Sequence, residues 1–237
     1  MNTHIVKSYE AELKVLERKI GQMGGMAEQL LAEAFGALEQ RNPARAKAVA
    51  AQDAAIDQLQ RELEEQAIVM IARRQPLAND LRQIMAVLKV AGDLERIGDL
   101  AKNIAKRAEA IASENHPKQL MTGLRHMVDM TARGLKDVLD AFSQRDAEKA
   151  LKVWREDEQI DALYNSLFRE LLTYMMEDPR NIGLCTHLLF GAKNIERIGD
   201  HTTNIAETVH YLALGVPITD ERPKGDKTSS TLLHKSG

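Results

Sequence analysis

Two stretches about a hundred residues apart repeat one another closely enough to fix the outline of the fold. Aligned with an offset of 101, Leu94–Ala105 and Ile195–Ala206 share Glu, Arg, Ile, Gly, Asp, Asn, Ile and Ala at eight of twelve positions. Upstream, Arg41 matches Arg145, Asp53 matches Asp157 and Asp57 matches Asp161, now offset by 104. The slip of three falls within Arg73–Asn79 and Met176–Asn181, where a turn is expected. A duplicated unit needs one secondary-structure plan that serves both copies.

That plan is helical. Between the six prolines, apolar residues recur every three or four positions, as in Val49, Asp53, Ile56, Gln60, Leu63, Ala67 and Met70, where Asp53 and Gln60 interrupt the series. Aromatic residues make up only 4%, and the good helix formers dominate. Asn42-Pro43 and Asp178-Pro179 each read as an N-cap followed by proline at the first helical position. The expected helices lie near 5–40, 43–74, 77–112, 118–143, 146–177 and 179–213. No alternating run suggests a strand. The fold class expected is all-α, two tandem antiparallel three-helix bundles related by the internal repeat. The first bundle takes residues 1–115, the second 116–215, and a polar flexible tail 216–237.

Composition narrows the function. The chain has 237 residues, 44% of them hydrophobic, enough to fold without a disulfide or a structural metal. A net charge of −3 argues against an overall electrostatic fit to nucleic acid or to an acidic membrane. Cys185 is the only cysteine, which excludes an intrachain disulfide and a multi-cysteine metal site. The longest unbroken apolar run, Ala67–Ala72, is far short of a membrane span, and no leader opens the chain. A soluble, cytoplasmic protein is expected.

The sharpest chemical feature is a set of acids spaced i, i+4: Asp53 and Asp57, Glu95 and Asp99, Asp157 and Asp161, Glu196 and Asp200. On a helix this spacing puts both carboxylates on one face, about 5–6 Å apart. Asp53 and Asp157 also take the place of the apolar residue expected between Val49 and Ile56, and between Val153 and Ile160. An uncompensated charge on a packed seam is costly. Either something positive sits there or the acids are protonated. Two readings stay open on spacing alone. One is a set of ion pairs, with Arg96 and Arg197 as candidate cations. The other is a metal site in each bundle, four carboxylates converging from its second and third helices; all-oxygen donors suit Mg²⁺, Mn²⁺ or iron.

The remaining candidates carry less. Gly98 and Gly199 sit beside the acids, where a mid-helix glycine suggests close packing or room for an ion. Asn103 and Asn204 lie one turn further on and could support the acids or bond a neighbouring helix. A ferritin-like di-iron oxidase wants Glu-x-x-His on two helices, and only Glu207 and His210 offer one. His201 and His210 read as surface or interface residues, and Cys185 as a packed one. No phosphate-binding loop, dinucleotide motif or nucleophile triad is present. No catalytic centre is expected.

Arg73-Arg74-Gln75-Pro76-Leu77-Ala78-Asn79-Asp80-Leu81-Arg82, followed by Leu94-Glu95-Arg96-Ile97-Gly98-Asp99, resembles the PhoU family. So do Thr173–Asp178 and Ile195–Asp200 in the second half, and the likeness runs from about residue 5 to 213. The resemblance implies paired carboxylate motifs that bind multinuclear metal clusters. The positions it carries to are Asp53, Asp57, Glu95, Asp99, Asp157, Asp161, Glu196 and Asp200; the metal (Mg, Mn or Fe) is not specified. It also implies a negative regulator of the phosphate regulon. Such proteins link the ATPase subunit of a phosphate ABC transporter to a sensor histidine kinase and repress starvation signalling when phosphate is plentiful. A non-enzymatic homodimer, without nucleic acid and without membrane insertion, is the expectation. A carboxylate-bridged metalloenzyme and a metal-free helical scaffold are the alternatives.

Overall fold

The computed structural model describes residues 2–220 and 222, with side chains from residue 9 onward. Among them are six α-helices: α1 (Asn2–Glu39), α2 (Pro43–Arg74), α3 (Asn79–Ala110), α4 (Lys118–Gln144), α5 (Ala147–Glu177) and α6 (Ile182–Leu214). No described residue lies in a strand. Of the two expected start signals, Asn42-Pro43 opens an α-helix as read. Asn42 caps α2, its side chain accepting from the Arg45 amide, and Asp146 caps α5 by accepting from the Lys149 amide.

Two boundaries differ from expectation, for local reasons. Asp178 caps a single 3₁₀ turn, Pro179–Asn181, so α6 starts only at Ile182. The third helix starts at Asn79 because Ala78 holds φ 46°, a backbone conformation that no α-helix contains. The tail leaves the helix at Gly215, whose φ of 76° turns the chain back. Residues 216–220 then follow as coil and bend; residue 221 and residues 223–237, where most of the expected tail falls, lie outside the described residues.

Each helix presents its apolar stripe inward. The α2 series Val49, Asp53, Ile56, Leu63, Ala67 and Met70 is buried throughout, with only Gln60 partly exposed. Helices α1–α3 pack as one bundle and α4–α6 as the other. The bundles join through α3 against α6 and α1 against α4, so that one hydrophobic core runs through both. Both junctions are antiparallel. The Arg82 guanidinium at the start of α3 lies 5.1 Å from the Tyr211 ring at the end of α6, and Arg107 lies 4.8 Å from Phe190 at the opposite ends. At the other junction Arg125 stacks on Phe35 while Arg145 reaches Glu17. Each inner helix therefore meets its own repeat counterpart head to tail, and α2 and α5 lie outside. This places the acids of α2 against α3, and those of α5 against α6.

Candidate functional site

The first acid cluster lies between α2 and α3. Asp53 is buried, at 2% exposure, and Asp57 and Glu95 are largely covered. The Lys102 ammonium donates to Asp53 Oδ2 and to Asp99 Oδ1, both at 2.5 Å. Burial by itself would lower the Lys102 pKa, but the two carboxylates outweigh it and hold the ammonium charged well above the ordinary lysine range. Arg96 adds pairs of 3.4 Å to Glu95 and 3.5 Å to Asp99 from the exposed side of α3. Even so, Asp53 Oδ1 and Asp57 Oδ1 are buried without a hydrogen-bond partner. Burial raises the Glu95 pKa; Arg96 lowers it, and the negative charges of Asp99, Asp57 and Asp53 raise it further. Glu95 is within electrostatic reach of the other three acids.

Gly98 belongs to this cluster for a steric reason. A Cβ on Gly98 would stand 3.0 Å from Asp53 Oδ1 and 3.1 Å from Ile56 Cδ1; at Gly199 the corresponding contacts are 3.3 Å to Asp157 Oδ1 and 3.2 Å to Ile160 Cδ1. Both glycines let a buried carboxylate lie against the facing helix. Gly98→Ala gains about 1 kcal/mol of helix propensity but overfills a site where insertions cost about 1–3 kcal/mol. A net loss of about 1 kcal/mol is expected in urea unfolding, and a gain in stability would refute the close-approach account.

The second cluster lies between α5 and α6. Asp157, Asp161 and Glu196 are all at 5% exposure or less, while Asp200 is more open. Its cation comes from the tail: Arg222 donates to Asp157 Oδ2 at 2.8 Å and to Asp200 Oδ1 at 2.7 Å. Lys193 donates to Glu196 Oε1 at 2.8 Å, leaving Glu196 Oε2 buried and without a partner. Burial is the main cause that pushes the Glu196 pKa up to about 7, with Lys193 opposing and Asp200 and Asp161 reinforcing. Asp157 is raised in the same way by burial, against the pull of Arg222.

The structure thus brings each expected quartet together, and answers the demand for positive charge with Lys102 and Arg222. Arg96 does pair with the acids, but within its own helix. Lys102 is legible in hindsight: it lies three residues after Asp99, and the repeat breaks there, since position 203 is threonine. Nothing in the sequence marks Arg222. No group of three or more His, Cys, Asp or Glu among the described residues is arranged to hold a metal ion. The donor chemistry still fits one. Four carboxylates meet in each bundle, and three of their oxygens are buried and unsatisfied, which a cation would cure.

The other candidates have structural partners. His201 Nδ1 lies 2.8 Å from Asp93 Oδ1, and Asn204 donates to the same oxygen at 3.3 Å, so both join the bundles across α3 and α6. Trp154 donates to Glu207 at 3.0 Å, and His210 Nδ1 lies 3.2 Å from the Val216 carbonyl oxygen; the lone Glu-x-x-His is not assembled as a ligand pair. Cys185 is fully buried.

The PhoU domain model matches twice, over residues 20–108 and 124–209, on the two bundles. The chain belongs to the PhoU family. It is 53% identical over 229 residues to the phosphate-specific transport system accessory protein PhoU homolog of Rhizobium meliloti (strain 1021), covering 97% of each chain. Its identity to the corresponding homolog of Caulobacter vibrioides (strain NA1000 / CB15N) is 48%, covering 97% of this chain and all of that one. The crystal structure of PhoU from Pseudomonas aeruginosa matches with a TM-score of 0.85 at 38% identity, over 88% of this chain and all of that one. The phosphate transport system regulatory protein PhoU from Streptococcus pneumoniae matches with a TM-score of 0.82 at 29% identity, over 89% and 99%. The family's two repeats coincide with the two acid clusters, and no helix among the described residues is long and apolar enough to cross a membrane.

Proposed function

We propose that this chain is a negative regulator of phosphate-starvation signalling, an adaptor between a phosphate ABC transporter's ATPase subunit and a sensor histidine kinase. The observation that carries this reading is 53% and 48% identity, over 97% of this chain, to relatives named as accessory proteins of the phosphate-specific transport system. The clusters would act on the adaptor rather than on a substrate. Asp53, Asp57, Glu95 and Asp99 would hold one cation site, and Asp157, Asp161, Glu196 and Asp200 the other. A divalent cation supplies positive charge that ties α2 to α3, or α5 to α6, more tightly than one ammonium or guanidinium does. The acids themselves fix the facing helices in register. The adaptor needs no turnover, and the one Glu-x-x-His is committed elsewhere, which supports a non-enzymatic role.

Deleting the gene in its host is expected to switch on phosphate-starvation genes in phosphate-rich medium, read as transcript levels. Unaltered repression in the deletion strain would remove the regulator reading. A second reading has its own observation: Lys102 and Arg222 already pair with the acids, as a metal-free scaffold requires. Elemental analysis of untagged protein separates the two, since bound Mn, Fe or Mg favours the cation sites and its absence the scaffold.

A further inference from the structure

The two clusters hold their positive charge by different means. Lys102 rides on α3, three residues after Asp99, so its ammonium is supplied from within the repeat itself. The residue three after Asp200 is Thr203, which is 1% exposed and donates its hydroxyl to the Gly199 carbonyl oxygen at 3.0 Å. The second cluster's cation therefore comes from outside the repeat. Arg222 stands eight positions beyond Leu214, the last residue of α6. Its guanidinium spans Asp157 Oδ2, at 2.8 Å and 3.3 Å, and Asp200, at 2.7 Å to Oδ1 and 3.4 Å to the carbonyl oxygen.

The segment that delivers it is held lightly. Gly215 reverses the chain, the Val216 carbonyl oxygen meets His210, and Ile218 rests partly buried against the core. Val216, Pro217, Thr219 and Asp220 are exposed. Arg222 also leaves the cluster unfinished, because Glu196 Oε2 stays buried without a partner. A carboxylate oxygen in that position calls for a further positive charge, yet a divalent ion sharing Asp157 and Asp200 with a guanidinium would meet strong like-charge repulsion.

We propose that Arg222 is a tethered, displaceable counter-ion of the second cluster. A divalent cation on Asp157, Asp161, Glu196 and Asp200 and the guanidinium of Arg222 exclude one another, so cation binding there releases Arg222, and with it residues 216–220, from the bundle. The first cluster has no such strap. This inference rests on the cation-site reading above and deepens it: the second site alone converts cation occupancy into a change at the protein surface.

The test uses the full chain carrying Asp57→Asn and Glu95→Gln, which disables the first cluster, with and without Arg222→Ala or Arg222→Lys. Chelator-treated protein is titrated with Mn²⁺, free ion being followed by electron paramagnetic resonance, and amide hydrogen exchange of 216–222 is measured by mass spectrometry. Arg222→Ala is expected to tighten Mn²⁺ binding at least tenfold, and Arg222→Lys to change it less. Saturating Mn²⁺ should speed exchange of 216–222 with Arg222 present and change it little in Arg222→Ala. Mn²⁺ binding that is equal or weaker in Arg222→Ala, or exchange indifferent to Mn²⁺, overturns the strap and leaves the cation site standing. No Mn²⁺ binding in any of these proteins overturns the cation site and the strap together.

Discussion

Glu196→Gln is expected to stabilise the chelator-treated protein at pH 8.5 by about 3 kcal/mol relative to the parent, and to leave it unchanged at pH 4. The Glu196 pKa moves from 4.5 to about 7 on folding, chiefly through burial. At about 1.4 kcal/mol per unit, that shift corresponds to about 3 kcal/mol. The sign follows from proton counting. Below the unfolded value of 4.5 both states are protonated and the residue costs nothing. Between 4.5 and about 7 the unfolded chain has lost the proton while the folded chain keeps it, so stability falls as pH rises. Above about 7 the folded protein must ionise too, and the whole cost is present. Glutamine never ionises, so its advantage grows across that window. In melting temperature it amounts to about 6–12 °C for a chain of this size. Saturating divalent cation should reverse the order, because glutamine gives an ion a neutral oxygen in place of a charged one. Equal pH profiles for the two proteins would mean that Glu196 is ionised and satisfied in the folded state.

The companion effect belongs to the first cluster. Lys102→Met is expected to destabilise the chelator-treated protein by about 3 kcal/mol, measured by urea unfolding at neutral pH. Removing one partner of a buried pair costs about 3–5 kcal/mol, since the other charge stays behind unpaired. The low end applies because Asp99 and Lys102 keep some contact with water, at 31% and 24% exposure, while Asp53 has almost none. Adding Mn²⁺ should restore most of the loss, as a cation replaces the ammonium against Asp53 and Asp99. A variant as stable as the parent in chelator would show that the short Lys102 contacts contribute nothing. A destabilised variant that Mn²⁺ fails to rescue would leave the cluster an ion-pair network.

Much of the architecture was legible in the residues. Helical period is local, so Val49, Asp53, Ile56, Leu63, Ala67 and Met70 share a face whatever packs on it, and all are buried. Caps are local too, which is why Asn42-Pro43 marks a helix start. The same local geometry put each acid pair on one face, and the duplication was visible as a second set of acids at the same spacing. Even the electrostatic dilemma was visible in outline, as a charge where an apolar residue belonged. The structure meets it at both seam positions with a counter-ion, Lys102 at Asp53 and Arg222 at Asp157.

What the sequence could not name was which group meets which. Lys102 reaches Asp53 across 49 positions, Arg222 reaches Asp157 across 65, and His201 reaches Asp93 across 108. Contacts of that separation depend on how whole helices approach one another. Composition and period are blind to this, because they record what a residue prefers to face and not what comes to face it. The antiparallel pairing of α3 with α6, which merges two bundles into one core, is of the same kind. So is the burial that lifts the Glu196 pKa, since desolvation is set by the neighbours that fold around a group. The sequence by itself determined six helices, a duplication and eight acids on two seams; tertiary packing decided that a helix-borne lysine guards one seam and a tail-borne arginine the other.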